Sequence, residues 1–345
     1  MKLTTIDYFT LFSASCICVG VLTPIMRMIA VRTNVVDKPN QDHKTHRLPI
    51  PYLGGVGIMI GVLVVTYIAL FRYNSNQNGL TLASTLLVPA LIMGIIGLAD
   101  DIRNLSPWPR FIAQSISGIL TALVLIGTDT LGTPTGSTFL DVVITVIWIV
   151  GITNSINFFD NLDGGASGAV AITSLALFVI AQQGGQFLIA ALAMVISGAT
   201  IGFLLWNRPP ARIYMGDAGA LFLGLLVASL SVRLDTNPIN KFATFSIPVL
   251  ILAVPIMDTA VAVISRIRRR RSPFQGGKDH LSHRLMRFGF SKPMAVISLW
   301  IMTAYFSSLA IAVSHAPYRF EGLVSWIGAL SWLSLFIWFM KRADE

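Results

Sequence analysis

Residues 186–206 read QFLIAALAMVISGATIGFLLW, a run without a single charge. At 1.5 Å of rise per residue such a run makes a helix about 30 Å long, the thickness of the hydrocarbon core of a bilayer. Comparable runs occupy 7–30, 53–71, 80–99, 109–128, 139–158, 165–182, 217–234, 245–265, 292–314 and 322–340. Backbone polar groups in lipid must be satisfied within their own segment, so runs of this length span as helices. The sequence therefore predicts an all-α, polytopic membrane helix bundle of about eleven transmembrane helices, with 1–345 as one integral membrane domain. Composition agrees. Hydrophobic residues make up 54% of the chain and charged residues 12%, about half the charge of a soluble domain.

The first run has only Lys2 before it and no small-x-small cleavage site, so it is expected to stay as a helix rather than leave as a signal peptide. Cys16 and Cys18 lie inside it, two positions apart on a helix, and read as packing residues rather than a disulfide or metal pair. The net charge of +9 becomes informative once it is sorted by loop. With the N-terminus outside and the C-terminus cytoplasmic, 20 of the 25 Lys and Arg fall on the inner side. The five outside are Lys2, Arg72, Arg233, Lys241 and Arg319. The positive-inside rule selects that orientation. The unusual polar residues also gather at the inner ends of the spans, whereas a channel or transporter holds its key ionisable groups near mid-bilayer. That asymmetry suits an enzyme working at the cytoplasmic membrane surface. There is no internal repeat and no separate soluble domain.

Five inner clusters carry the chemistry. The first contains His43, Lys44, His46 and Arg47, then Pro49, Pro51, Gly54 and Gly55, a bent basic loop that could also serve only topology. The second is Asp100-Asp101-Ile102-Arg103-Asn104, where adjacent carboxylates repel unless a cation sits nearby, either Arg103 and Arg110 or a metal. The third runs from Asn154 to Gly165, with Asn154, Asn157, Asp160 and Asp163 at spacing three. If the fifth helix continues through them they form one polar stripe. The fourth, Asn207 to Gly219, includes Asp217 just before an apolar run, where it is either an ordinary N-cap or a group in a phosphate and metal site. The fifth is the longest inner loop, from Arg266 to Lys292, with Arg268, Arg269, Arg270 and Arg271 followed by Asp279, His280, Ser282, His283 and Arg284. Its arginines could hold anionic lipid or grip a diphosphate. His280 and His283 have spacing that suits zinc, but no cysteine joins them and the oxygen donors elsewhere suit a harder ion. Asp oxygens for a divalent cation, arginines for phosphate and asparagines for a polar ligand together describe phosphoryl transfer. No G-x-x-x-x-G-K-[ST] loop is present, which argues against ATP hydrolysis.

In this order the clusters resemble the polyprenyl-phosphate N-acetylhexosamine-1-phosphate transferase family of bacterial membranes (glycosyltransferase family 4). The resemblance rests on H-x-x-P-x-P-x-x-G-G at His46 to Gly55, D-D-x-x-N at Asp100 to Asn104 and N-x-x-N-x-x-D-x-x-D-G at Asn154 to Gly164. It continues through N-R-P-P-A and G-D-x-G at Asn207 to Gly219, P-x-x-D-T at Pro255 to Thr259, and S-P-F with D-H-L-x-H-R-L at Ser272 to Leu285.

The resemblance implies attack of undecaprenyl or another polyprenyl phosphate on the β-phosphate of a UDP-N-acetylhexosamine, with UMP leaving. Mg²⁺ is the implied cofactor, with Mn²⁺ an alternative. The partners are the two substrates and the membrane. A homodimer is allowed, and no nucleic acid is expected. Pro51-Tyr52-Leu53-Gly54-Gly55 and His280-Leu281-Ser282-His283 look like the branch that transfers GlcNAc-1-phosphate to start a wall or envelope polysaccharide, such as lipopolysaccharide or teichoic acid. Transfer of phospho-MurNAc-pentapeptide and, more remotely, secondary transport of an anionic metabolite are the rivals. Ser282 and His43 depart from the branch pattern, standing where histidine and arginine are common.

By the same resemblance Asp217 is expected as the metal ligand with Asp101, while Asp100, Asp101, His280 and His283 are catalytic. His46, Asn157, Asp160, Asp163, Asn207 and the arginines from Arg268 to Arg271 are expected to bind substrate. Asp258 lies about 12 Å of helix inside Arg266 and is expected only to pair helices.

Overall fold

The computed structural model describes residues 3–37, 49–73, 77–103, 105, 107–127, 135–235, 241–273 and 277–341. The described residues are overwhelmingly helical, and the protein is an all-α polytopic membrane protein. In chain order the helices are α1 (Thr5–Arg32), α2 (Gly54–Arg72), α3 (Gln77–Arg103), α4 (Pro107–Gly127), α5 (Thr138–Phe159), α6 (Gly165–Gln183) and α7 (Phe187–Asn207). They continue as α8 (Gly216–Val232), α9 (Lys241–Ile251), α10 (Ala253–Arg268), α11 (Leu281–Arg287), α12 (Lys292–His315) and α13 (Tyr318–Lys341). Two short antiparallel strands, β1 (Val36–Asp37) and β2 (Ile50–Pro51), join α1 to α2.

Among the described residues eight helices are long and apolar enough to cross a membrane. Two shorter apolar helices, Phe111–Ile126 and Gly216–Val232, fall where the sequence predicted full spans. The run at 245–265 was expected as one helix and is instead broken. The segment from Phe242 to Ile251 meets α10 at 77°. Pro248 and Pro255 flank the break; Pro248 removes a hydrogen bond inside α9, and Pro255 sits in the first turn of α10, where no helical N–H is needed. The carbonyls at the corner are met from neighbouring helices. Thr173 Oγ1 donates to Ile251 O at 3.3 Å, and Trp332 Nε1 donates to Ala253 O at 2.9 Å. A broken helix inside a membrane protein survives only with such partners.

Burial divides the helices by role. α6, α7 and α8 are buried along most of their length, whereas α1 and α13 keep wide apolar faces outward, with Phe9, Ile17, Leu323 and Trp326 exposed. Outward apolar side chains are stable in lipid and costly in water. Close approach of the central helices needs small residues: a Cβ on Gly198 or Gly202 of α7 would strike the backbone of α1 at Phe12 and Cys16. Cys16 and Cys18 are free and half-buried on α1.

Candidate active site

The site is assembled around the start of α8. Tyr214 N donates to Pro51 O at 2.9 Å, Gly54 N to Tyr214 O at 3.0 Å, and Gly55 N to Met215 O at 3.0 Å. The bent segment before α2 is thereby fastened to the segment before α8. Gly55 permits this contact, because a Cβ there would collide with the backbone of Gly219 and of Met215. Gly216 turns the chain with φ of 66°, and a Cβ on it would strike the Asp101 carboxylate.

Asp101 sits in the last turn of α3 and aims both oxygens at the start of α8. Asp217 N donates to Asp101 Oδ1 at 2.9 Å, and Ala218 N to Asp101 Oδ2 at 3.1 Å. A helix begins with free N–H groups, and a carboxylate placed on them is held by both hydrogen bonds and dipole. Asp101 therefore caps α8 from another helix. Asp217 is not the cap, since it lies inside the first turn. Its Oδ1 accepts instead from Asn157 Nδ2 at 2.8 Å. The neighbouring Asp100 is buried and turns back on its own chain, with Leu105 N donating to its Oδ1 at 2.6 Å.

The expected polar stripe on α5 is cut short. The helix ends at Phe159, Asp160 is its C-cap, and Gly164 with φ of 74° starts α6. Only Asn154 and Asn157 remain helical, and Asn154 donates to Gln114 of α4 rather than toward Asp217. Asp160 and Asp163 lie in the turn, next to Asp217. Burial pushes the Asp160 carboxyl up to about 7, and the charges of Asp217 and Asp163 push the same way. Asp163 Oδ2 accepts from Ala211 N at 3.0 Å and its carboxylate also meets the Tyr214 hydroxyl. Burial raises the Tyr214 phenol, and that of Tyr52, whose hydroxyl pairs with Asp37. The two rings lie side by side, tilted at 48°, with centroids 6.2 Å apart.

Asn207 is 2% exposed, and its amide bonds to groups inside the protein. Its oxygen accepts from Gly164 N and Ser167 Oγ, each at 3.0 Å, and its nitrogen donates to Ile213 O at 3.0 Å. That geometry ties the turn after α5 to the segment before α8 and gives Asn207 a shaping task.

A second cluster lies on the other side of the last turn of α5. Phe158 touches both the His280 ring, at 6.2 Å between centroids, and the Arg266 guanidinium, at 5.7 Å. Ser282 donates to Asn161. His280 is buried, with Nδ1 2.7 Å from Asp258 Oδ2 and Nε2 3.1 Å from Arg266 Nη2. Arg266 also reaches Asp279 at 3.3 Å, and Asp279 meets Arg269 at 3.2 Å. Burial lowers His283 to about 4, helped by the proximity of His280. Arg268, Arg270 and Arg271 are exposed. His46 lies outside the described residues.

Sequence reading missed Arg266, Tyr52, Tyr214 and Phe158, whereas Asp258 pairs α10 with the start of α11 as expected. Tyr214 stands between two recognised motifs, and Arg266 was counted only as part of a basic run. Among the described residues no three Asp, Glu, His or Cys side chains converge as a ready-made metal cage. A small hard cation asks for less: one or two carboxylates, waters and substrate phosphate oxygens. The oxygen donors of Asp217, Asp160 and Asp101 suit such an ion in kind, and the mutual repulsion at Asp160 is what a cation would relieve.

Residues 83–235, from α3 to just past α8, match glycosyl transferase family 4. A probable undecaprenyl-phosphate N-acetylglucosaminyl 1-phosphate transferase of Bacillus subtilis (strain 168) is 35% identical over 334 residues, covering 95% of this chain and 87% of the relative. The chain belongs to glycosyl transferase family 4. A decaprenyl-phosphate N-acetylglucosaminephosphotransferase of Mycobacterium tuberculosis (strain CDC 1551 / Oshkosh) is 30% identical over 93% of this chain and 86% of its own length. A phospho-N-acetylmuramoyl-pentapeptide-transferase of Streptococcus mutans is similar over a shorter stretch, 33% identical over 56% of this chain and 62% of its own. This family 4 chain thus matches N-acetylglucosaminyl phosphate transferases along nearly its whole length and the pentapeptide transferase over about half.

Proposed function

We propose that this family 4 enzyme transfers N-acetylglucosamine-1-phosphate from UDP-GlcNAc to undecaprenyl phosphate or a related polyprenyl phosphate. The product is a lipid-linked sugar that starts a cell-envelope polysaccharide. The observation that carries the reading is the set of carboxylates and amides around the start of α8, in a chain aligned nearly end to end with N-acetylglucosaminyl phosphate transferases. In the reaction a lipid phosphate oxygen attacks the β-phosphorus of the nucleotide sugar. A new P–O bond forms, the bond to the bridging oxygen breaks, and UMP leaves with that oxygen.

Asp217, with Asp101, would hold Mg²⁺ or Mn²⁺. The metal supplies neutralisation of charge on the diphosphate. Asp101 keeps Asp217 in place through the first turn of α8. Asn157, Asp160 and Asp163 form the polar floor for the sugar nucleotide, and Asn207 shapes it from behind. Asp100 positions the lipid phosphate, whose second pKa near 6 leaves little work for a base at neutral pH. His283 and the exposed Arg268, Arg270 and Arg271 face the diphosphate. With the broken pair counted as one span, the eight long and two shorter helices make eleven crossings, N-terminus outside and the site at the cytoplasmic face. Polyprenyl phosphate in the membrane and UDP-sugar in the cytosol meet at that face.

Purified protein incubated with undecaprenyl phosphate and a panel of UDP-sugars tests the reading. UMP release with UDP-GlcNAc and not with UDP-MurNAc-pentapeptide is expected. The reverse preference would sink it.

A further inference from the structure

The Asp258–His280–Arg266 chain is not explained by binding of either substrate. Asp258 is fully buried, six residues beyond the break between α9 and α10. Its Oδ1 accepts from Leu281 N at 2.7 Å, at the start of α11, and its Oδ2 lies 2.7 Å from His280 Nδ1. On the far side of the ring, Arg266 Nη2 is 3.1 Å from His280 Nε2. A guanidinium has five donors and no acceptor. The Nε2 atom facing it must therefore accept, which leaves the ring proton on Nδ1, donated to Asp258. Both ring nitrogens are then committed within the protein, and the ring is 6% exposed.

The chain extends at both ends. Arg266 Nη1 donates to Pro273 O at 2.8 Å, and its Nε meets Asp279 Oδ2 at 3.3 Å. Asp279 Oδ1 takes Arg269, inside the arginine run, and its backbone oxygen takes Arg284 Nε at 2.9 Å. Through Ser282 and Asn161, α11 is fixed to the turn that carries Asp160. One buried carboxylate on the broken span thus holds the arginine run on one side and the acidic cluster on the other.

We propose that His280 is a positioning residue locked as the Nδ1–H tautomer by Asp258, and that this chain, not proton transfer at His280, registers the arginine run over the acidic cluster. The kinetic part rests on the proposed GlcNAc-1-phosphate transfer; the tautomer does not. Asn and Gln separate the two ring contacts. In His280→Asn the amide nitrogen falls where Nδ1 was and can still donate to Asp258. In His280→Gln the amide oxygen falls where Nε2 was and can still accept from Arg266. Neither can transfer a proton as imidazole does.

Nitrogen NMR of ¹⁵N-histidine-labelled protein in detergent, with the His280 signals identified by their loss in His280→Asn, reads the tautomer directly. A protonated Nδ1 with an unprotonated Nε2 is expected, and the opposite tautomer overturns the proposal. UMP release provides the second arm. A proton-transfer role is worth 10²–10⁴-fold, so both variants would lose kcat by about that factor. Positioning predicts kcat within about tenfold of the parent in His280→Asn, a raised KM for UDP-GlcNAc, and a double variant of Asp258→Ala with His280→Ala no worse than the more damaging single. Loss of kcat by 10² or more in both His280 variants, with native melting temperatures, refutes it. Variants that fail to fold leave the tautomer measurement, made on the parent protein, to decide. A parent that releases no UMP with UDP-GlcNAc refutes the transfer reading alone.

Discussion

Replacing Gly55 by alanine tests whether the contact between the starts of α2 and α8 builds the site. The added Cβ would overlap Gly219 N and lie 2.5 Å from both Gly219 Cα and Met215 O. All three are backbone atoms, so no side chain can rotate away. Non-bonded carbons are comfortable near 3.5–4.0 Å, so the helices must part by about 1 Å. Overpacking of this kind costs about 1–3 kcal/mol. The same shift would stretch the hydrogen bonds from Asp217 N and Ala218 N to Asp101, now 2.9 and 3.1 Å, and charge-assisted bonds are worth about 1.5–3 kcal/mol each. A total of about 2–5 kcal/mol follows if those bonds are partly lost. Displacement by 1 Å at a reacting centre can cost about 10²-fold in rate, so UMP release should fall by about that factor. Gly151→Ala is the control. It lies on the same α5 that carries Asn157, is exposed, and its new Cβ meets nothing within 4 Å. It should leave activity intact and shift stability by no more than about 1 kcal/mol, toward the folded state. Thermal unfolding in detergent and UMP release would be measured for both. Gly55→Ala with parental melting temperature and rate, or equal damage from Gly151→Ala, would refute the reasoning.

Asp217→Asn keeps size and hydrogen bonding but removes the ligand charge, and it should lower turnover by orders of magnitude with an unchanged melting temperature; near-normal turnover at saturating Mg²⁺ would contradict the metal role. Among single Gln variants of the arginine run, those at Arg268, Arg270 or Arg271 that touch diphosphate should each cost about 2–3 kcal/mol against UDP-sugar, whereas small, additive, lipid-dependent losses of about 1 kcal/mol would mean a lipid-attracting patch. Stability should also carry a mark from His283. Its folded value near 4 lies below its ordinary 6.5, so its contribution is full above pH 6.5, declines as pH falls, and is gone below about pH 4. Asp160, raised in the fold, has the opposite sign, losing its contribution as pH rises toward 7. The difference between the parent and His283→Gln melting curves from pH 7 to 4.5 isolates the histidine, and identical profiles would contradict its burial as neutral imidazole. For topology, cysteines placed at Gly132 and Ser272 in a background lacking Cys16 and Cys18 should label from opposite sides of the membrane; labelling of both from outside would break the eleven-span arrangement.

Eleven apolar runs, a charge partition and six ordered motifs were legible in the sequence because each is local or additive. A run of apolar residues must be helical in lipid whatever surrounds it, and a motif can be read without knowing what it touches. Asp101, Asn157, Asp160 and Asp217 were legible as chemistry for the same reason. Their partners were not. Asp101 bonds to an N–H 116 residues away, and nothing within its own cluster separates a metal ligand from a helix cap. The stripe at spacing three assumed that α5 continues, whereas a turn through Gly164 ends it and carries Asp160 and Asp163 out of register. Hydropathy could not reveal the break at Leu252, because the corner carbonyls are met by Thr173 and Trp332 from distant helices. Asp258 was legible as a helix-pairing group, but only the fold named its partners, His280 and the start of α11, across 22 and 23 residues. Composition decided that the chain lies in a membrane and which residues could do chemistry there. Only packing decided which of those groups hold one another and which do not, because a buried hydrogen bond depends on distance in space and a motif records distance along the chain.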